Sequence, residues 1–232
     1  MDEQPIVPTT THVTLPDVPA EICMKQELYF STQVFSFQLD EEIAEMANGV
    51  LLKEIHSERK RDRKGLQRSN FRSLGGWHSQ NDLHKRPQYK KLTDFISACC
   101  TSISEQNGYD RSYRLQVMGM WSVINPPGSS NRSHIHPASL WSGVYYVQTP
   151  KNAGKIEFTD PRTQQLMMPA RYVPNKKRPP TCWTKVNFTP KSGLLLIFPS
   201  WLYHSVAPNL SENKGTDGER VIISFNISQV AV

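Results

Sequence analysis

No stretch of the 232-residue chain approaches the ~18 uninterrupted apolar residues a membrane-spanning helix needs, so none is expected. The first residues, Met1 to Pro5, lack the basic start and apolar run of a secretory leader, and a cytoplasmic protein is expected. Cysteine is scarce. Cys23, Cys99, Cys100 and Cys182 form no Cys-x-x-Cys pair and no zinc-ligand spacing, which excludes zinc-ribbon and disulfide-scaffold classes and leaves four reduced packing residues. Without secretion, the Asn-x-Ser/Thr matches at Asn131, Asn187, Asn209 and Asn226 carry no meaning. Repeats and low-complexity tracts are absent.

What is present suits one β-rich domain over 1–232: 38% apolar residues for a core, with 17 prolines and 12 glycines for turns. A support region is expected over about 1–110 and the β core over about 111–232. The net charge of +6 permits acidic partners without requiring them. The densest basic run, Arg59 to Lys64, reads as a solvated helix end or as a phosphate-contacting patch. With Lys176, Lys177 and Arg178 it is the only support for a nucleic-acid partner, and no stacking platform accompanies it.

Residues 1–27 read as an extended lead-in and 27–39 as strand-like. Asp40 is placed to cap a helix over about 40–60, with Ile43, Met46, Val50 and Ile55 as its apolar stripe. The irregular stretch 68–83 reads as a functional loop, with Trp77 and His78 as cavity lining together with Trp141. A second helix follows Pro87, with Leu92, Phe95, Ile96, Cys99 and Ile103 on one face and Gly108 at its end. From about residue 113 closely spaced strands and turns take over, which reads as helices packed on a β-sandwich or barrel.

Chemistry concentrates in 131–147. His134 and His136, two apart on a strand, point to one face with Cα atoms about 7 Å apart, within reach of one metal ion or one substrate. His204, after the apolar strand 193–198, supplies a third imidazole. In the last strand Val221, Ile223, Phe225 and Ile227 share one face, while Arg220, Ile222, Ser224 and Asn226 share the other. Arg220 and Ser224 can there hold a carboxylate.

The motifs His134-Ile-His136-Pro137, Ser142 to Val147, Gly154 to Arg162, Phe198 to His204 and Arg220 to Asn226, preceded by Ser69-Asn70 and Gly75 to Trp77, occur in an order that resembles a known family. They are similar to the iron(II)- and 2-oxoglutarate-dependent oxygenases of bacteria and their phages, related to prolyl hydroxylases. The resemblance implies a mainly β fold with N-terminal helices around a double-stranded β-helix (jelly-roll or cupin-like) core. It implies Fe(II) and 2-oxoglutarate as cofactors and hydroxylation of a small molecule or a protein side chain. By position His134 and His204 match metal ligands. Arg220 matches the residue binding the C5 carboxylate of 2-oxoglutarate, supported by Ser224 and Tyr146.

One departure stands out. The family's His-x-Asp carries His136 in place of the acid, so either three histidines bind the metal or Asp160 or Glu157 completes the 2-His-1-carboxylate set. A cupin-like metal-binding protein without oxygenase activity is the competing class. Prime substrate and oligomeric state are open at this level.

Overall fold

The structure is a computed structural model that describes residues 10–14, 21–26, 28–66, 76–162, 164–168 and 170–232. The lead-in before Thr10 and the Ser69–Gly75 part of the long loop therefore lie outside the described residues. By its internal contacts the chain divides into two units. The smaller joins residues 1–33 to 171–183. It contains the antiparallel hairpin β1 (Thr10–Thr14) and β2 (Glu21–Lys25), and a separate stretch where Arg178 lies 4.1 Å from the centre of the Tyr172 ring. The larger, 34–170 with 184–232, carries everything that follows.

The larger unit begins with β3 (Phe35–Gln38), much shorter than the strand expected over 27–39. Phe30 takes a φ of +60°, which interrupts extended backbone just upstream. Helix α1 (Glu41–Arg61) follows, and then β4 (Trp77–His78), α2 (Lys90–Gln106), β5 (Tyr113–Asn125), β6 (Asn131–His134), β7 (Trp141–Gln148) and β8 (Ile156–Thr159). The one-turn α3 (Gln164–Met167) leads on to β9 (Lys185–Phe188), β10 (Leu194–Pro199), β11 (His204–Val206) and β12 (Arg220–Ala231).

Two antiparallel sheets result, one ordered β3-β10-β7-β12-β5-β4 and the other β6-β11-β8-β9. Period-two alternation decides which side chains go where. Val221, Ile223, Phe225 and Ile227 of β12 join Tyr145, Val147, Leu195 and Ile197 in a core shared with Leu51 and Ile55 of α1 and Leu92, Ile96 and Ile103 of α2. Ile222, Val144, Tyr146, Leu196 and Phe198 face the other way, meeting Ile156 and Phe158 of the smaller sheet. The central sheet is therefore buried on both faces, with helices on one side and the second sheet on the other. This is a double-stranded β-helix core with helical support.

Two local details shape the site. Opposite β12, residue Met118 of β5 is an extra, unpaired residue: Asn226 aligns with Gly119 and Ile227 with Val117. A bulge shifts the alternation by one. Before it Leu115 and Val117 point to the helices; after it Met120 and Ile124 do, and Trp121 and Val123 turn to the inter-sheet side. At Gly143 of β7, the ring of Phe225 and the carbonyl of Leu196 close in, and a Cβ there would sit 2.2 Å from the ring.

The helix faces partly differ from expectation. In α2, Leu92, Ile96, Cys99 and Ile103 are buried as expected, and Gly108 (φ +64°) follows its end. Asp40 precedes α1 but makes no side-chain capping bond. Of the expected α1 stripe only Ile55 is buried. Ile43, Met46 and Val50 are exposed, and the buried face is Ala44, Asn48, Leu51, Ile55 and Glu58. Two polar residues on that face have partners. The Tyr145 hydroxyl donates to Asn48 Oδ1 at 2.8 Å, Asn48 Nδ2 donates to Ser192 Oγ at 2.8 Å, and Glu58 pairs with Arg86 at 2.9 Å.

Candidate metal and carboxylate site

Between the two sheets lies a cavity of about 620 Å³. His134 ends β6 and His204 begins β11, and the two are direct partners across the ladder. His136 is not on the strand with His134, as the sequence suggested. It sits two residues past the end of β6, where its backbone N–H donates to the carbonyl of Ser200 at 2.9 Å. The ring is still carried to the same place. Ring centres are 5.2 Å apart for His134–His136, 4.3 Å for His134–His204 and 5.2 Å for His136–His204. One nitrogen of each lies within 4.8 Å of the others, close enough to share one ion.

Backbone carbonyls set the tautomers of two rings. His134 Nδ1 is 2.7 Å from the Arg132 carbonyl and His204 Nδ1 is 2.9 Å from the Leu202 carbonyl. A carbonyl only accepts, so each Nδ1 carries a proton, and Nε2 is the ring nitrogen left to face a metal. Burial holds the His204 imidazolium down to a pKa of about 3, with His134 and His136 pushing the same way against the Leu202 bond. The ring is neutral and ready to coordinate. His136 stacks on Trp121 (6.0 Å, 18°), which stacks in turn on His78 (5.8 Å, 12°), so one aromatic shelf runs from the cavity wall to the ligand cluster.

The acidic alternatives lie elsewhere. Asp160 is held by Arg162 through two bonds of 3.0 and 2.9 Å, and that side-chain bond is the main reason its carboxyl stays below the usual range. Glu157 pairs with Lys185 at 2.7 Å. Neither lines the cavity, and no Asp or Glu among the described residues does.

Arg220 opens β12 and is 1% exposed. Its Nη1 donates to the carbonyls of Ala153 and Ala207. Gly154 makes that seat possible: at φ +86° its missing Cβ would lie 2.2 Å from the Ala207 carbonyl and 2.8 Å from Arg220 Nη1. Arg220 Nε and Nη2 are buried with no hydrogen-bond partner among the described residues. Burial lowers the guanidinium to a pKa of about 10, which still leaves it charged at neutral pH. A buried cation with two unanswered donors costs several kcal/mol of stability, and a planar carboxylate is the group that answers both. Ser224 lines the same cavity, as does Tyr146, whose hydroxyl is kept protonated by burial and so is available as a donor. The donor set fits a divalent ion held by nitrogen beside an anchored carboxylate.

Several residues at the site carried no sequence signal of their own. Ser142 Oγ donates to Asn226 Oδ1 at 2.9 Å and lies 2.8 Å from Ser200 Oγ, tying β12 and β7 to the turn whose carbonyl holds His136. Trp121 lines the cavity only because of the bulge at Met118. Of the expected lining, His78 is there; Trp77 and Trp141 belong to the helix-side core instead, Trp77 donating to the Asp62 carbonyl at 2.7 Å.

Residues 119–226 match the model of a family described as "Putative 2OG-Fe(II) oxygenase". No curated protein matches the chain in sequence. Among solved structures, a prolyl-4-hydroxylase from Pseudomonas putida aligns at 13% identity and TM-score 0.54, over 85% of this chain and 93% of that one. The viral collagen prolyl hydroxylase of Paramecium bursaria Chlorella virus-1, in complex with 2-oxoglutarate, aligns at 16% identity and TM-score 0.51, over 85% and 96%. HygX from Streptomyces hygroscopicus, with nickel, 2-oxoglutarate and hygromycin B bound, aligns at 11% and TM-score 0.53, over 85% and 83%. At these identities the likeness is one of fold.

Proposed function

We propose that this chain, whose residues 119–226 match the model of the 2OG-Fe(II) oxygenase family, is an iron(II)- and 2-oxoglutarate-dependent oxygenase whose metal is held by His134, His136 and His204. Arg220 then binds the distal carboxylate of 2-oxoglutarate, with Ser224 and Tyr146 as hydroxyl partners. The observation that carries the reading is the buried Arg220 with Nε and Nη2 unanswered, in the same cavity as three convergent imidazoles.

Iron(II) and 2-oxoglutarate, when bound, would let dioxygen serve as the oxidant, one oxygen atom entering a substrate C–H bond and the other the succinate left when 2-oxoglutarate loses carbon dioxide. The chain's own residues do the rest. The Arg132 and Leu202 carbonyls orient two imidazoles, and the contacts of Ser142 with Asn226 and Ser200 hold the turn whose carbonyl anchors the backbone of the third. Arg220 would hold the distal carboxylate of the keto acid in the cavity that the three imidazoles also line. An all-histidine set leaves the site one positive charge higher than a set with one carboxylate. The shelf of Trp121 and His78, with Asn81 and Arg132 also in the lining, is the surface left for the prime substrate, a small molecule or a protein side chain.

A cupin-like metal-binding protein is the second reading, and the cavity without a carboxylate is what favours it. One experiment separates the two. Under anaerobic conditions, protein with Fe(II) should develop a visible metal-to-ligand charge-transfer band when 2-oxoglutarate is added. His134→Ala should lose the band with the metal. Arg220→Ala should keep metal affinity but weaken 2-oxoglutarate binding by about 100-fold or more. Metal binding without any band or keto-acid affinity in the wild-type chain would establish the second reading instead.

A further inference from the structure

The most apolar stripe of α1 faces away from the core. Ile43, Met46 and Val50 recur at i, i+3 and i+7 and are 49%, 71% and 58% exposed. Side chains at this spacing stand in a row on one helix face. Among the described residues nothing covers them. Scattered exposed apolar residues need no explanation, but three in register along two turns form a seam.

Charge along the helix says what fits that seam. Asp40, Glu41, Glu42 and Glu45 gather at the N-terminal end, whereas toward the C-terminal end Lys53, Lys60 and Arg61 outnumber Glu54, with Arg59 and Glu58 paired inside the chain to Glu219 and Arg86. A second α1 laid parallel would set like charges together; laid antiparallel, it sets opposite ones together. With a two-fold axis near residue 48, Met46 of one copy meets Val50 of the other. Lys53 of one then comes beside Glu42 of the other. Both residues are exposed, and neither has an ion-pair partner within its own chain among the described residues.

We propose that the outward face of α1 is a self-association surface through which two copies of this chain pair antiparallel about a two-fold axis. Such an interface is isologous, each copy using the same residues. A helix of 21 residues is about 31 Å long and its contact falls short of the ~800 Å² per partner of a standard interface, so the dimer is concentration-dependent and not obligate.

Sedimentation velocity of the full chain, from low micromolar to several hundred micromolar, tests this. The mass should rise from one chain to two. Met46→Glu and Val50→Glu should each raise the dissociation constant about tenfold or more, with unchanged far-UV circular dichroism and thermal midpoint. Glu42→Lys or Lys53→Glu alone should weaken the dimer, and the two combined should restore it, because only the antiparallel register joins those positions. A wild-type chain that stays monomeric throughout overturns the proposal, as does a dimer indifferent to these substitutions. Recovery of the dimer in the double charge reversal is also the readout that a merely destabilised fold cannot produce.

Discussion

Arg220 and Gly154 are bound together by geometry, since the guanidinium reaches its two carbonyl acceptors only past a residue with no side chain. Gly154→Ala puts a methyl group into that seat at a backbone angle alanine adopts only with strain, at about 1–2 kcal/mol before any clash. The variant should lose about tenfold or more in 2-oxoglutarate affinity by calorimetry while binding Fe(II) as the wild type does. Equal loss of both would mean that the glycine serves the fold at large. At this scale much of the site could be read directly. His134, His136, His204, Arg220, Ser224 and Tyr146 all line one cavity, because histidines and a strand-face arginine carry their chemistry in their identity. Ser142, Asn226 and Ser200 could not be read as a network, since nothing in their spacing shows that a turn and two strands meet. Asp160 and Glu157 were open alternatives in sequence; their positions are decided by Arg162 and Lys185, ordinary surface partners that no motif announces.

At the scale of elements, α1 shows why a hydrophobic stripe can point outward. Its buried face includes Asn48 and Glu58, which periodicity counts as polar, and each is matched by a side chain far away in sequence: Tyr145 and Ser192 for Asn48, Arg86 for Glu58. The apolar stripe 43-46-50 was the stronger sequence signal and the wrong face. Ile55→Ala, at a fully buried position, should lower unfolding stability by about 2–4 kcal/mol, whereas Ile43→Ala should change it by less than about 0.5 kcal/mol. Urea unfolding of the two variants checks the assignment, and similar losses would refute it. Strand β12 was more legible, because unbroken alternation from Val221 to Ile227 divides its side chains between two cores. The bulge in β5 was not, since the pairing with β12 that leaves Met118 unpaired cannot be read from either strand alone.

For the molecule as a whole, the helix-side core determines which groups react. Burial raises the Cys99 thiol to about 11 and Cys100 to about 12, so both stay predominantly thiols at pH 8. In the native state both should resist Ellman's reagent, as read by mass mapping, and react fully in guanidinium chloride; rapid native labelling would contradict the packing of α2. None of the described helices is long and apolar enough to cross a membrane. The basic run is partly accounted for within the fold: Arg59 binds Glu219 at 2.6 Å, and Arg59, Lys60 and Arg61 stand in the last turn of α1, where positive charge suits the helix dipole. The strand order has a kinetic consequence. In the larger sheet β3 pairs with β10 and β5 with β12, and in the smaller sheet β6 pairs with β11, so almost every ladder joins segments remote along the chain. Such topologies close long loops before any pairing rewards them, and they fold in milliseconds to seconds, not microseconds. His134 and His204 sit across one of these late-forming ladders, so the metal pocket comes into being only once the sheets have closed, and a nascent chain has no preassembled place to hold an ion.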